Sequence, residues 1–174
     1  MKRLLLLFVL ILAAACATAP AVPAPANPPW RGAKLARKDV PVVYLREWER
    51  AENRDHCALL APRSIAGVEQ ATPRSATFAG GWAVAYDTPE VRSAFGIAGT
   101  GAEPRGTMYS KWPFARDWDD GSTIGYGPEG GTGPNQLAYL RIAGQDCLYN
   151  VWSRLGQKHL EALIAELRFV EPAP

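Results

Sequence analysis

Alternation of apolar and polar positions predicts strands in the first half of the chain. In residues 76–87, Trp82, Val84 and Tyr86 occupy every second position, and the residues between them are alanines. A period of two over such a run predicts a strand with one large face and one small face. Residues 57–65 form an apolar run that contains a proline, which is typical of an edge strand.

Helical spacing predicts two helices in the same half. In residues 42–52 apolar residues recur three positions apart with charges between them, which favours a helix, although the first residues of this run also fit a strand. Thr88, Pro89 and Glu90 resemble a helix N-cap, a proline at the first helical position and a first-turn acid. Val91, Ala94, Phe95 and Ala98 then form one short apolar face, so a second helix is predicted after Thr88, ending at Gly96 or Gly99.

The clearest pattern lies at the C-terminal end. Residues 137–143 and 147–155 are two apolar runs joined by a short turn with a glycine, which predicts a hairpin. Residues 157–168 then place leucine and isoleucine at i, i+3, i+4 and i+7, which predicts a helix. Residues 99–121 are rich in loop-forming residues. The fold class expected is α+β: a small antiparallel sheet, two or three helices, and a C-terminal hairpin followed by a helix.

The first sixteen residues, MKRLLLLFVLILAAAC, carry the only motif with a specific meaning. Two basic residues precede an unbroken apolar run from Leu4 to Leu12, and three alanines then stand directly before Cys16. This segment resembles the signal of a bacterial lipoprotein, which implies that Cys16 is acylated and becomes the mature N-terminus. Ala17, rather than an aspartate, follows the cysteine. In this it resembles lipoproteins that are sorted to the outer membrane, which implies that the domain faces the periplasm. An ordinary secretory signal that releases a soluble periplasmic protein is the alternative.

The segment after the cysteine predicts a linker. Residues 17–29 contain no charge and are dominated by proline and alanine, a composition that cannot bury a core. We therefore predict a signal peptide over residues 1–15, a lipidated cysteine with a disordered linker over residues 16–39, and a single globular α+β domain over residues 40–171.

Removal of the signal changes the charge. The 174-residue chain has a formal net charge of +2, with 19 basic and 17 acidic side chains, and two of the basic ones are Lys2 and Arg3. Without them the basic and acidic side chains are equal in number, and no block of like charges exists. A neutral chain lacks the electrostatic footprint of a nucleic-acid-binding protein, so we expect no nucleic-acid partner.

The number of cysteines left after lipidation is consistent with an oxidising compartment such as the periplasm. If Cys16 carries lipid, Cys57 and Cys147 remain as an even pair in an oxidising environment, and we predict a disulfide between them. Two buried free thiols are the alternative. No Cys-x-x-Cys spacing occurs, which gives no support to a zinc site.

A glycine-rich segment is the candidate contact surface. Residues 125–130, GYGPEG, match the spacing of a dinucleotide-binding loop, but the following glycines and proline cannot begin the helix that such a site requires. We interpret residues 125–135 as an exposed loop, with Tyr126, Glu129 and Asn135 as partner-contacting residues. A simple hairpin connection is the alternative.

Catalytic and metal-binding signals are weak. Asp117, Asp119 and Asp120 lie close together, but their spacing is one residue short of a calcium loop, so no metal site and no cofactor is expected. His56 and His159 are the two histidines, and no serine-nucleophile motif accompanies them. The sequence favours a lipid-anchored, non-enzymatic binding module, with an envelope protein or a toxin-like enzyme as partner. A small periplasmic hydrolase is the alternative function.

Overall fold

Nine strands and two helices make up the part of the chain that the structure describes. The structure is a computed structural model and describes residues 27–78, 80–101, 112–131 and 135–172. The helices are α1 (Val42–Arg50) and α2 (Gln157–Ala165). The strands are β1 (Leu60–Pro62), β2 (Thr72–Ser75), β3 (Trp82–Asp87), β4 (Phe95–Thr100), β5 (Phe114–Asp117), β6 (Thr123–Pro128), β7 (Gln136–Arg141), β8 (Leu148–Ser153) and β9 (Leu167–Phe169).

Seven of these strands form one antiparallel sheet in the order β2-β3-β4-β8-β7-β6-β5. Strands β1 and β9 pair antiparallel in a separate two-stranded sheet. Next to it, Leu35 forms a parallel bridge with Val170. The α+β class with an antiparallel sheet is therefore confirmed, and the sheet is larger than the sequence indicated.

Both helices pack on the same face of the large sheet, which we call the helix face. Tyr44 of α1 lies with its ring centroid 6.3 Å from those of both Trp82 and Tyr86 on β3. His159 of α2 lies 4.8 Å from the ring of Phe95 on β4. Tyr44, Trp82, Tyr86 and Phe95 are buried here because each element presents its apolar side to the other, whereas His159 is half-buried.

The opposite face, which we call the second face, is built differently. Its positions on β3 and β4 hold very small residues, and its positions on the neighbouring strands β7 and β8 hold large ones. The small residues are Ala83, Ala85, Gly96 and Ala98, and the large ones are Leu137, Tyr139, Asn150 and Trp152. The alanines on β3 that suggested a small-residue face thus lie beside a ridge of larger, partly polar side chains.

The helix predicted after Thr88 is wrong, because residues 95–100 form strand β4. The Thr88 hydroxyl does accept a backbone N–H, that of Val91 at 3.1 Å, but this bond closes the turn between β3 and β4 and does not cap a helix. Glycine is needed at position 96 of β4 because any side chain there would overlap the ring of Trp152. The glycine is required by a residue 56 positions away in the sequence.

Most of the other predicted helices and strands are present, with some changes in their bounds. Helix α1 and the hairpin of β7 and β8 are confirmed, and the apolar run with a proline forms the short strand β1. The last helix ends at Ala165 rather than 168, because Leu167–Phe169 form strand β9 against β1. Strand β5 lies inside residues 99–121, whose composition predicts loop.

Residues assigned to the linker belong in part to the packed structure. Trp30 is 1% exposed, and its ring meets that of Trp118 edge to face at a centroid distance of 4.9 Å. Leu35 packs against the core and bridges Val170. The folded unit therefore starts before residue 40. Cys16 and the rest of residues 1–26 lie outside the described residues, and within the described ranges no helix is long and apolar enough to span a membrane.

The predicted disulfide is confirmed. Cys57 and Cys147 are bonded, with their Cα atoms 5.0 Å apart, in the range usual for a disulfide. The bond joins the segment before β1 to the start of β8, and Cys57 is fully buried against Gly99 of β4. It thus ties the two-stranded sheet region to the middle of the large sheet.

Candidate functional site

A groove of about 540 Å³ crosses strands β7 and β8 on the second face. This volume lies within the range of small-molecule sites, which is roughly 300–1,000 Å³. The groove has a floor contributed by the sheet, one apolar wall and one polar rim. Its lining consists of Ala76, Phe78, Ser93, Glu129, Asn135, Leu137, Tyr139, Asn150, Trp152 and Arg154.

The floor and wall are largely aromatic. The rings of Phe78 and Trp152 lie nearly parallel, at an interplanar angle of 24° and a centroid distance of 6.1 Å. Trp152 lies directly over Gly96, which allows the indole to approach the backbone of β4. Phe78 remains 37% exposed despite this contact. An exposed phenylalanine stacked on a tryptophan provides an apolar ring surface that a ligand can cover.

Asn150 is the polar residue of the floor. It lies between Ala98 and Tyr139 in the cross-strand register and is 7% exposed. Its amide nitrogen donates a long hydrogen bond of 3.4 Å to the Thr100 hydroxyl. A carboxamide in the middle of a sheet face adds donors and an acceptor to surroundings that are otherwise alanine, glycine and aromatic rings.

The rim is held together by Arg154, which directly follows β8. Its guanidinium donates to the Asn135 side-chain oxygen at 3.4 Å and to the Arg92 carbonyl at 3.3 Å. Arg154 therefore bridges the β6–β7 connection and the β3–β4 turn. Both hydrogen bonds are long and exposed, so they are weak, and the guanidinium remains accessible to a ligand in the groove.

The β3–β4 turn places Ser93 on the same rim. Ser93 has a φ of 51°, a left-handed conformation that is unusual for a residue with a side chain. Its N–H donates to Asp87 at 2.7 Å, and its hydroxyl accepts from Arg74. The Ser93 N–H and the Arg74 guanidinium, which bonds both Asp87 oxygens, hold the pKa of Asp87 below its usual value. This cluster fixes the turn that borders the groove.

The structure separates the three residues predicted as the contact surface. Glu129 and Asn135 line the groove, whereas Tyr126 lies on the helix face and donates a hydrogen bond of 2.9 Å to Glu161 of α2. Burial and the neighbouring Glu161 raise the pKa of Tyr126 to about 12. The exposed loop predicted over residues 125–135 is also shorter, because β6 extends to Pro128, and residues 132–134 lie outside the described residues.

Ser153 and His159 form the pair closest to a catalytic arrangement. The Ser153 hydroxyl and the His159 Nδ1 atom are 2.9 Å apart, and the same hydroxyl accepts the Leu155 N–H at 3.0 Å. Ser153 is completely buried, and burial lowers the pKa of His159. The pair therefore connects the end of β8 to the start of α2, and in this structure its hydroxyl does not meet solvent.

The acidic cluster of residues 117–120 begins at the end of β5, where Asp117 lies, and continues into the turn before β6, which contains Asp119 and Asp120. Asp120 accepts the Ser122 N–H at 2.9 Å and forms an ion pair with Arg31 at 3.1 Å. Gly121 follows with a φ of 85°, a backbone conformation that favours glycine. In the described ranges, no three His, Cys, Asp or Glu side chains come together in a way that could hold a metal ion.

A second cavity of about 500 Å³ lies near the start of the folded unit, beside Trp30, Trp48 and Phe169. Two of its cationic side chains already have partners: Arg31 pairs with Asp120 at 3.1 Å and Arg37 with Glu49 at 2.6 Å. The groove on the second face is the stronger candidate because Phe78, which is 37% exposed, and Trp152 present a stacked aromatic surface in it, beside an exposed guanidinium and carboxylate on its rim.

Sequence reasoning missed the aromatic part of the groove. The alternation of residues in β7 and β8 could have indicated it. In these strands Leu137, Tyr139, Asn150 and Trp152 occupy the alternate positions, which point away from the core. Phe78 gave no signal, because its approach to Trp152 depends on the tertiary fold. Comparisons of the chain with protein-family models, with curated proteins and with solved structures find no match.

Proposed function

We propose that this chain is a lipid-anchored protein of the bacterial outer membrane that faces the periplasm and acts as a non-enzymatic binding module. The groove on the second face is its contact surface. The observation that carries the proposal is the construction of the sheet: one face holds both helices and the core, and the other presents aromatic and amide side chains in a groove. A sheet stabilised from one side leaves the other side available for recognition.

The groove supports contact chemistry rather than bond cleavage. Its ionisable side chains are Glu129, Tyr139 and Arg154, and they lie among rings and carboxamides. The alternative function, a small periplasmic hydrolase, requires a nucleophile or a carboxylate pair that meets the substrate. In the best-formed serine–histidine pair of the described chain, the Ser153 hydroxyl belongs to a completely buried residue that a substrate cannot reach. We therefore place recognition ahead of hydrolysis.

We expect Cys16 to carry the acyl chains, palmitate among them, that hold the protein at the membrane. More than one chain is needed for a stable anchor, and a diacylglyceryl group with a third acyl chain satisfies this requirement. Cells grown with an alkyne analogue of palmitate should label the wild-type protein, and Cys16→Ser should remove the label and release the protein into the soluble periplasmic fraction. Equal labelling of both proteins would show that Cys16 is not the modified residue.

The groove is tested by changing its polar rim. We expect the double substitution Glu129→Ala and Asn135→Ala to weaken capture of the envelope partner by about fivefold or more, as for side chains that bind a partner directly. Glu129 is exposed and Asn135 is half-buried with a single weak side-chain bond to Arg154, so the free energy of unfolding should change by no more than about 1 kcal/mol. Retention of crosslinked envelope components on the immobilised protein measures the first effect, and urea denaturation measures the second.

A matched control uses the same residue chemistry away from the groove. Glu69 and Gln70 are an exposed carboxylate and carboxamide in the loop before β2. The double substitution Glu69→Ala and Gln70→Ala should leave capture unchanged. The proposal is wrong if the two double variants retain the same components equally well. A large loss of stability in the groove variant alone would show instead that the rim has a structural role.

A further inference from the structure

We propose that the groove binds a glycan, that is, a chain of pyranose rings. This inference rests on the proposed function and specifies its ligand. A pyranose ring has two chemically distinct parts: apolar C–H faces above and below the ring, and hydroxyl groups around its edge. A complementary site needs aromatic rings for the faces and planar polar side chains for the edge. The groove supplies both.

The apolar part of the groove is aromatic and not aliphatic. Phe78, Tyr139 and Trp152 line it, and Leu137 is its one large aliphatic residue. Aromatic rings are rigid and flat, so they match the flat C–H face of a sugar at low cost in side-chain entropy. An acyl chain is better matched by a deep cavity of leucine, isoleucine and valine side chains. The lining therefore favours sugar rings over lipid.

The polar part of the groove can bind pairs of hydroxyl groups. Asn135, Glu129 and Arg154 on the rim, together with Asn150 on the floor, each carry a planar group with at least two hydrogen-bonding atoms. Two adjacent hydroxyl groups on a pyranose ring present oxygens at a spacing that such a group can bridge. The Asn135–Arg154 bond of 3.4 Å is long enough to be replaced by a bond to the ligand.

The charge of the groove argues against a polyanion. One carboxylate, Glu129, and one guanidinium, Arg154, lie among its lining residues. A site for phosphate-rich polymers needs several cations to replace the counterions that the polymer releases. The groove is balanced instead, and a neutral hydroxyl-rich ligand suits it.

The position of the groove in the sheet argues against an extended peptide. Peptides commonly bind a sheet by adding a strand to a free edge. The groove lies on β7 and β8, which are inner strands whose backbones already pair with β6, with each other and with β4. A ligand here must be recognised by side chains alone, as a stack of rings with hydroxyl edges would be.

The test is a titration of the full chain with two defined oligosaccharides. The protein is expressed with its own N-terminus, purified in a detergent without a sugar headgroup, and titrated calorimetrically with chitotetraose and with cellotetraose. These probes differ in their acetamido groups, so they separate recognition of that group from recognition of the ring. We expect saturable binding of at least one probe, with a shift of the Trp152 indole N–H resonance, which Trp152→Phe identifies. Phe78→Ala should weaken binding by about fivefold or more.

A matched aromatic control is available on the other face. Phe114 on β5 is 39% exposed and stacks on Tyr126 with a centroid distance of 5.2 Å, much as Phe78 stacks on Trp152. Phe114→Ala should bind the oligosaccharide as the wild type does. Equal loss in both variants, or saturable binding that leaves the Trp152 resonance unmoved, overturns the assignment of the groove.

The outcome is separable from that of the proposed function. If neither oligosaccharide binds at concentrations up to roughly 10 mM, while the Glu129 and Asn135 double variant still loses capture, the glycan inference is wrong and the binding function stands with another ligand. Saturable binding of an extended tetra-alanine peptide in place of either sugar also overturns the inference. If no probe binds and capture is insensitive to the rim, both proposals fail together.

Discussion

Replacing Trp30 with alanine is expected to lower the free energy of unfolding by about 3–5 kcal/mol, the usual cost of truncating a buried tryptophan. Trp30 is 1% exposed and packs edge to face on Trp118, which is itself buried. The loss should be visible as a lower midpoint in urea with an unchanged slope. A chain that begins at residue 40 lacks Trp30 and the Leu35–Val170 bridge, and it should be at least as unstable.

A surface substitution provides the comparison. Val42 is 74% exposed on α1, and Val42→Ala should change stability by no more than about 0.5 kcal/mol. If Trp30→Ala and the shortened chain unfold at the same urea concentration as the wild type, residues before 40 are a linker after all. That outcome would move the start of the folded unit to α1.

Removal of the Cys57–Cys147 disulfide is the second large effect that we expect. The bonded residues are 90 positions apart, and for a loop of this size the chain-entropy model gives about 4–5 kcal/mol as an upper figure. The double substitution Cys57→Ala and Cys147→Ala should therefore cost about 2–5 kcal/mol in the free energy of unfolding. Urea denaturation of this variant and of the wild type measures the difference.

Reductant provides the internal control. Dithiothreitol should lower the urea midpoint of the wild type toward that of the double variant and leave the variant itself unaffected. Thiol titration of the unfolded, unreduced protein should detect neither Cys57 nor Cys147. Two reactive thiols, or a wild-type midpoint that ignores reductant, would show that the pair is not bonded in the purified protein.

In the proposed function, stability depends on one face of the sheet and recognition on the other. The helix face holds the large aromatic side chains that α1 and α2 cover. The groove uses side chains on the other side of the same strands, so its rim can be changed with little effect on the core. Trp152 is the exception, because it also packs over Gly96. For this reason the groove is tested at Phe78, Glu129 and Asn135.

Local patterns determined several features of this protein by themselves. The periodicity of α1, β3 and the C-terminal β7–β8–α2 unit was sufficient because each of these elements repeats its own pattern over nearly its full length. Cysteine number and compartment were sufficient to predict the Cys57–Cys147 bond. The lipid anchor and the localisation to the bacterial envelope remain predictions that depend on the sequence around Cys16.

Tertiary structure decided what depends on distant partners. Residues 95–100 became a strand and not a helix because β4 is paired on both sides by β3 and β8, and these pairings outweigh the capping signal at Thr88. Trp30 is buried in the core because its ring packs edge to face against that of Trp118, which is distant in the sequence. Tyr126 lies within β6 and points to α2, whereas Glu129 and Asn135 lie in the connection between β6 and β7, at the edge of the groove. Only the assembled sheet defines which of its faces the helices cover, so the sequence could not separate these residues.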